Sequence, residues 1–194
     1  GSGSNFQALL EREGKGALWR TRLLVVDREG TGAMERARQA GIEVRGVAFT
    51  GRDPNVVGEQ MLGALREAHV DVIFLAGFLR LVPSTVVAAY RDRILNIHPA
   101  LLPAFGGKGM WGRAVHEAVL RSAARVTGVT VHLVDDRYDE GRILAQWLVP
   151  VHAGDDPDTL AARVLEVEPP GIVRQADVLV RVGGHQLLQC LPLR

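Results

Sequence analysis

The run Val70-Asp71-Val72-Ile73-Phe74-Leu75-Ala76-Gly77-Phe78 is apolar at nearly every position, with one acid near its start. A strand with a solvated face alternates polar and apolar residues, so one that stays apolar throughout is covered on both faces. Helices packed on either side of a parallel sheet provide that cover. The flanking segments carry the matching pattern. Residues 20–27, built on Leu23-Leu24-Val25-Val26, and residues 43–49, with Val44, Val47 and Phe49, read as strands. Residues 33–40 and 56–69 have helical spacing, the second with Met61, Leu62 and Leu65 on one face.

Strand and helix alternate through this half, which predicts right-handed crossovers. The expected fold is α/β: a Rossmann-like open, mostly parallel sheet with helices on both faces. Pro83 suits the first turn of a short helix ending at Tyr90, and residues 113–121 form a further helix with Ala114, Val115, Ala118 and Val119 on its apolar face. Residues 125–134 and 143–151 read as two more strands around an acidic loop. A last helix starts near Asp155-Asp156-Pro157, breaks around Pro169-Pro170-Gly171 and resumes over 172–180. No repeat or linker divides the chain, so residues 1–194 are expected to form one domain.

Composition excludes several classes. Lys and Arg total 23 against 22 Asp and Glu, a formal charge of +1, which offers no electrostatic attraction for nucleic acid or an anionic membrane. The single Cys190 has no internal disulfide partner, and no apolar run approaches the about 18 residues of a membrane span. The N-terminus lacks the features of a signal peptide, and a cytoplasmic location is expected. His116, His132, His152 and His185 show no metal-ligand spacing, so no metal is expected.

Chemistry is expected around Ile94-Leu95-Asn96-Ile97-His98, a short buried strand that Pro99 terminates. Asn96 and His98 are two residues apart and share a face at the C-terminal end of the strand, where ligands of open α/β sheets bind. Asp139, in the acidic loop, adds a carboxylate. An amide donor, an imidazole and a carboxylate suit acyl transfer, and without a neighbouring serine or cysteine nucleophile the attack falls to a substrate amine. On the residues alone, an asparagine capping a turn, a packed structural histidine and a solvated acidic loop are the commoner readings of such positions. Gly1-Ser2-Gly3-Ser4-Asn5 before a helical segment fits an anion at a helix N-terminus, and also fits a flexible linker.

These stretches together resemble the folate-dependent formyltransferases. Residues Asn96 to Pro103 are similar to the family's NIHPSLLP signature, with Ala100 where serine is usual. Gly1 to Ala8 resembles its SGxGSNLQA phosphate loop, and Leu75 to Arg80 its LAGFMR segment. Gly128 to Val134, followed by Asp139 and Gly141, resembles GVTVHFVDxxxDxG. The resemblance implies transfer of a formyl group from 10-formyltetrahydrofolate, as cosubstrate, to the amine of glycinamide ribonucleotide. Small molecules are then the partners, and a monomer or homodimer is expected.

The resemblance further implies that Asn96 and a protonated His98 hold the oxyanion, with Asp139 governing the state of His98 or of an ordered water. It gives the ribonucleotide phosphate to Gly3, Ser4 and Asn5, and the folate to Leu79, Arg80, Leu81 and Val82 with Val134, Asp135 and Asp136. Glu168 aligns with a substrate-contacting acid, although Pro169-Pro170-Gly171 replaces the family's following residues. The family's first strand, at the centre of its sheet, has no counterpart after Gly1 and is expected upstream. Formyltetrahydrofolate hydrolase, methionyl-tRNA formyltransferase and a non-catalytic nucleotide-binding module are the alternatives.

Overall fold

A computed structural model describes residues 3–15, 17, 19–75 and 77–167. The order is α1 (Ser4–Gly14), β1 (Leu23–Val26), α2 (Gly32–Gln39), β2 (Glu43–Gly46), α3 (Pro54–Glu67), β3 (Ile73–Leu75), α4 (Ser84–Ala89), β4 (Ile94–His98), α5 (Arg113–Arg121), β5 (Val126–Leu133) and β6 (Ile143–Pro150). A further helix, α6, runs over 157–167. The expected kink near Pro169 and the helix over 172–180 lie outside the described residues.

Strands β1 and β2 pair in parallel, as do β3 and β4. This is the crossover half predicted by the alternation of strand and helix. The second half turns antiparallel, with β4 against β5 and β5 against β6. For β5 and β6 the reason is local: the loop over 134–142 holds no helix, and a parallel return needs a crossover of a dozen or more residues. The start of α3 has a clear determinant. Asp53 caps α3, its carboxylate accepting from the Asn55 N–H at 2.7 Å, and Pro54 follows where its missing N–H costs nothing.

Strand β4 divides the interior. Leu95 and Ile97 pack with Val119, Val129, Val131, Leu133 and Leu160, in the core that α5 and α6 cover. Ile94 turns the other way, into a second core with Met61, Leu62, Leu65, Val86 and Val87 from α3 and α4. The pleat therefore sends Asn96 and His98 to the side of Ile94. The antiparallel register places His132 opposite Asn96 and Thr130 opposite His98. Four polar side chains thus form a ladder on one face, while Leu95, Ile97, Val131 and Leu133 fill the other.

A cavity of about 710 Å³ lies between β1 and β3, lined by Leu24 and Val26 on one side and Ile73 and Leu75 on the other. No strand of the described residues joins these two edges. Arg80 bridges the halves instead, its guanidinium 3.1 Å from the Asp27 carboxylate and 3.2 Å from the Thr50 hydroxyl.

Leu95 is fully buried at the centre of the larger sheet. Leu95→Ala is expected to lower stability by about 2–5 kcal/mol, from lost burial plus the cavity left behind, as measured by urea unfolding.

Candidate active site

A second cavity, of about 480 Å³, opens where the C-terminal end of β4 meets the loop between β5 and β6. Asn96, His98, His132 and Asp139 share its wall with the segment from Leu79 to Val82. His98 is fixed by the chain that follows it. Residues 99–107 loop back so that the Phe105 carbonyl lies 2.9 Å from Nε2 of His98. A carbonyl only accepts, so Nε2 carries a proton and Nδ1 is the nitrogen left to titrate. Nδ1 faces the Asp139 carboxylate, with Oδ2 at 3.5 Å.

The buried Thr130 hydroxyl and the Gln146 amide hold this return loop. The Thr130 hydroxyl donates to the Ala100 carbonyl at 2.7 Å and accepts from the Leu102 N–H at 3.0 Å. Gln146 on β6 donates to the Leu102 carbonyl at 2.9 Å and to Thr130 at 3.0 Å. The main-chain bonds of the loop thus come from strand side chains, which compensates for its lack of a ladder.

Asp139 adopts a left-handed backbone, φ 57°, which is costly for most residues and mildest for Asp and Asn. Its Oδ2 accepts from the Gly107 N–H at 2.9 Å. Two glycines make this docking possible. A Cβ on Gly106 would come within 2.5 Å of the Leu102 side chain and 3.1 Å of Asp139 Cβ, and one on Gly141 would strike the Leu133 carbonyl at 1.9 Å. The Asp139 loop rests on β5 and on the return loop at positions where a side chain does not fit.

Burial dominates the titration of His98 and moves its pKa below the usual histidine value, against the opposing pull of Asp139 and the Phe105 carbonyl. His116 of α5 is lowered by burial and by the neighbouring His98. Burial pushes Asp139 up, but the His132 and His98 rings and the Gly107 N–H outweigh it and hold the carboxyl below its normal range. Burial thus disfavours imidazolium at His98.

The other expected residues are spread around these three. Leu79 and Leu81 are exposed on the cleft wall, Val82 is buried behind them, and Arg80 is turned to Asp27. Val134 lines the cleft, whereas Asp135 and Asp136 do not; Arg137, Tyr138 and Asp139 are the loop residues that reach it. Asp135 instead accepts from the Arg137 N–H at 2.9 Å, shaping its own loop. Gly3, left-handed at φ 77°, starts α1 and touches the start of α2, where a Cβ would come 2.9 Å from the Ala33 nitrogen. Asn5 lines both cavities, and Gly3 and Ser4 line the larger one. Glu168 lies outside the described residues. Sequence reasoning passed over His132 and His116 because it tested histidines only for metal spacing; the register opposite Asn96 is the signal that singles out His132. Among the described residues, no group of three or more His, Cys, Asp or Glu side chains could hold a metal ion.

The lowered histidines fix a sign for pH dependence. Below about pH 6.5 the unfolded chain binds protons that folded His98 and His116 refuse, so stability falls with pH through that window and neither group contributes above it. Asp139 acts in the same direction lower down, its stabilisation being lost as pH falls below the ordinary carboxylate range. The thermal midpoint is expected to drop as pH is lowered from 7 to 5, and His116→Leu is expected to flatten that slope, both followed by circular dichroism.

Residues 1–176 match the family model described as formyl transferase. The chain is 43% identical to the chloroplastic phosphoribosylglycinamide formyltransferase of Arabidopsis thaliana, over 97% of this chain and 68% of the plant protein. It is 35% identical to the phosphoribosylglycinamide formyltransferase of Bacillus subtilis, over 90% of each. The crystal structure of the phosphoribosylglycinamide formyltransferase of Bacillus halodurans superposes with a TM-score of 0.86 at 32% identity, over 97% of this chain and 96% of that one. With its signature strand, return loop and carboxylate in one cleft, the chain belongs to the formyl transferase family.

Proposed function

We propose that this cleft transfers a formyl group from 10-formyltetrahydrofolate to the amine of glycinamide ribonucleotide, a step of purine synthesis. The observation that carries the reading is the meeting of Asn96, His98 and Asp139 at one cleft end of β4 in a chain of this family. The amine adds to the formyl carbon, a C–N bond forms, and the carbonyl electron pair moves to oxygen. An Asn96 N–H is the donor for that oxyanion. The amine proton passes to His98 Nδ1, and the Asp139 carboxylate 3.5 Å away stabilises the imidazolium that results. Collapse of the tetrahedral intermediate breaks the bond to the folate nitrogen, which takes the proton from His98. The cycle closes with His98 deprotonated, the form that its burial favours.

Binding follows the same layout. Gly3, Ser4 and Asn5 open α1, where first-turn N–H groups and the helix dipole favour a phosphate. Exposed Leu79 and Leu81 offer apolar surface for a flat pterin, joined by Val134 and by Arg137 and Tyr138 of the loop in which Asp135 and Asp136 form the turn. Glu168 is kept as a ribonucleotide contact on the strength of the resemblance. Small-molecule substrates are the partners, and a cytoplasmic location is the expectation for the reaction; among the described residues no helix is long and apolar enough to cross a membrane.

Release of tetrahydrofolate, followed spectroscopically with and without glycinamide ribonucleotide, tests the reading. Turnover is expected only with the amine. Amine-independent release would show a hydrolase instead, and no turnover under either condition would refute formyl transfer. Asn96→Ala and His98→Ala are each expected to lower kcat by about 10²–10³-fold, the range for loss of a placed donor or proton carrier. Near-normal rates in either variant would remove that residue from the mechanism.

A further inference from the structure

His132 is almost fully buried, at 2% exposure, directly across the β4–β5 ladder from Asn96. The pairing of β5 with β6 slips between Val131 and His132, an irregularity of the kind that re-aims a strand side chain. Both ring nitrogens are committed. Nδ1 lies 2.8 Å from the Leu133 carbonyl, which can only accept, so the proton sits on Nδ1. In the neutral ring Nε2 then presents a lone pair, and the Asn96 amide nitrogen lies 3.0 Å from it, closer than the Asp139 Oδ1 at 3.5 Å. The amide has two nearly isosteric ends, of which only the nitrogen can satisfy this lone pair. One Asn96 N–H is thereby spent on His132. The second points to Asp139 Oδ1 at 3.5 Å, the outer limit of a hydrogen bond, and is weakly held.

We infer that His132 is the positioning residue of the Asn96 donor: its fixed tautomer selects the nitrogen end of the amide and leaves one N–H to be drawn onto the reacting carbonyl oxygen. One accept-only group, the Leu133 carbonyl, starts the selecting. The Leu133 carbonyl fixes His132, and His132 fixes Asn96. Asp139 favours the same end of the amide, but at 3.5 Å it holds it less firmly than the 3.0 Å contact does. Without His132 the amide can turn its oxygen toward the cleft, where it would repel the developing oxyanion. The inference rests on the formyl-transfer reading for its kinetic consequence, and on the two ring contacts alone for its structural one.

The test has two independent arms. In the unmodified protein, ¹⁵N spectra of labelled histidine are expected to show the neutral His132 ring protonated at Nδ1 and unprotonated at Nε2; an Nε2–H tautomer would overturn the inference. In kinetics, His132→Phe keeps the ring volume but removes the acceptor, and is expected to lower kcat about 10–100-fold while KM for the folate stays within about 3-fold, a part of the loss seen when an oxyanion donor is removed. His132→Gln, whose carbonyl can accept from Asn96, is expected to recover most of that loss. In an Asn96→Ala background, His132→Phe is expected to cost no more than about 2-fold further, since the donor it serves is gone. An unchanged kcat in His132→Phe, or losses that multiply in the double variant, would overturn the inference. If the unmodified protein shows no amine-dependent turnover, the failure belongs to the formyl-transfer reading, and the tautomer measurement decides the part of His132 by itself.

Discussion

The site depends on one constraint: four polar side chains face inward from the middle of a sheet. Asn96, His98, Thr130 and His132 stand on the same side of β4 and β5, and His98, Thr130 and His132 are nearly inaccessible. Burying such groups without partners costs roughly 1–3 kcal/mol each, so each must be answered. The answers come from fixed backbone. Leu133 takes His132, Phe105 takes His98, and Ala100 and Leu102 take Thr130. The path of the chain after Pro99 is therefore set as much by the needs of the polar ladder as by its own turn residues.

Asp139 extends the same logic to charge. A carboxylate largely withdrawn from water needs a donor, and here the Gly107 N–H supplies one, with the His98 and His132 rings each 3.5 Å away. Gly106 and Gly141 let the two loops approach closely enough for this to happen. The left-handed backbone of Asp139 is a modest cost borne by the same contacts. Electrostatics and sterics thus converge on one small volume, and the apolar cores on either side of β4 hold it still.

Much of this was legible in the sequence. Period-two alternation in β4 put Asn96 and His98 on one face, and α5 spans Arg113–Arg121 as its spacing predicts, whereas β1, β2 and β3 lie within the expected runs but are shorter, β3 covering Ile73–Leu75 alone. What local pattern could not supply was pairing. That β5 runs antiparallel to β4, bringing His132 opposite Asn96, is a long-range choice that no window around either residue encodes. The acidic loop shows the same limit. Composition made its acids equivalent, whereas the fold sends Asp139 into the cleft and gives Asp135 to its own turn. The lowered pKa of His98 was also out of reach, because burial is a property of the packed chain.

The bond between His98 and the Phe105 carbonyl has a further consequence. An imidazole usually works as a two-ended relay, taking a proton at one nitrogen while releasing another at the far side. Here the far side is closed: Nε2 is spent on a main-chain oxygen, and Nδ1 is the only port. A ring with one port cannot pass protons through itself; it can only store one and hand it back. Loading and unloading are then strictly sequential, and the two groups exchanging the proton must reach the same atom in turn. The order of events is in this sense wired into the return loop, several residues away from either reactant.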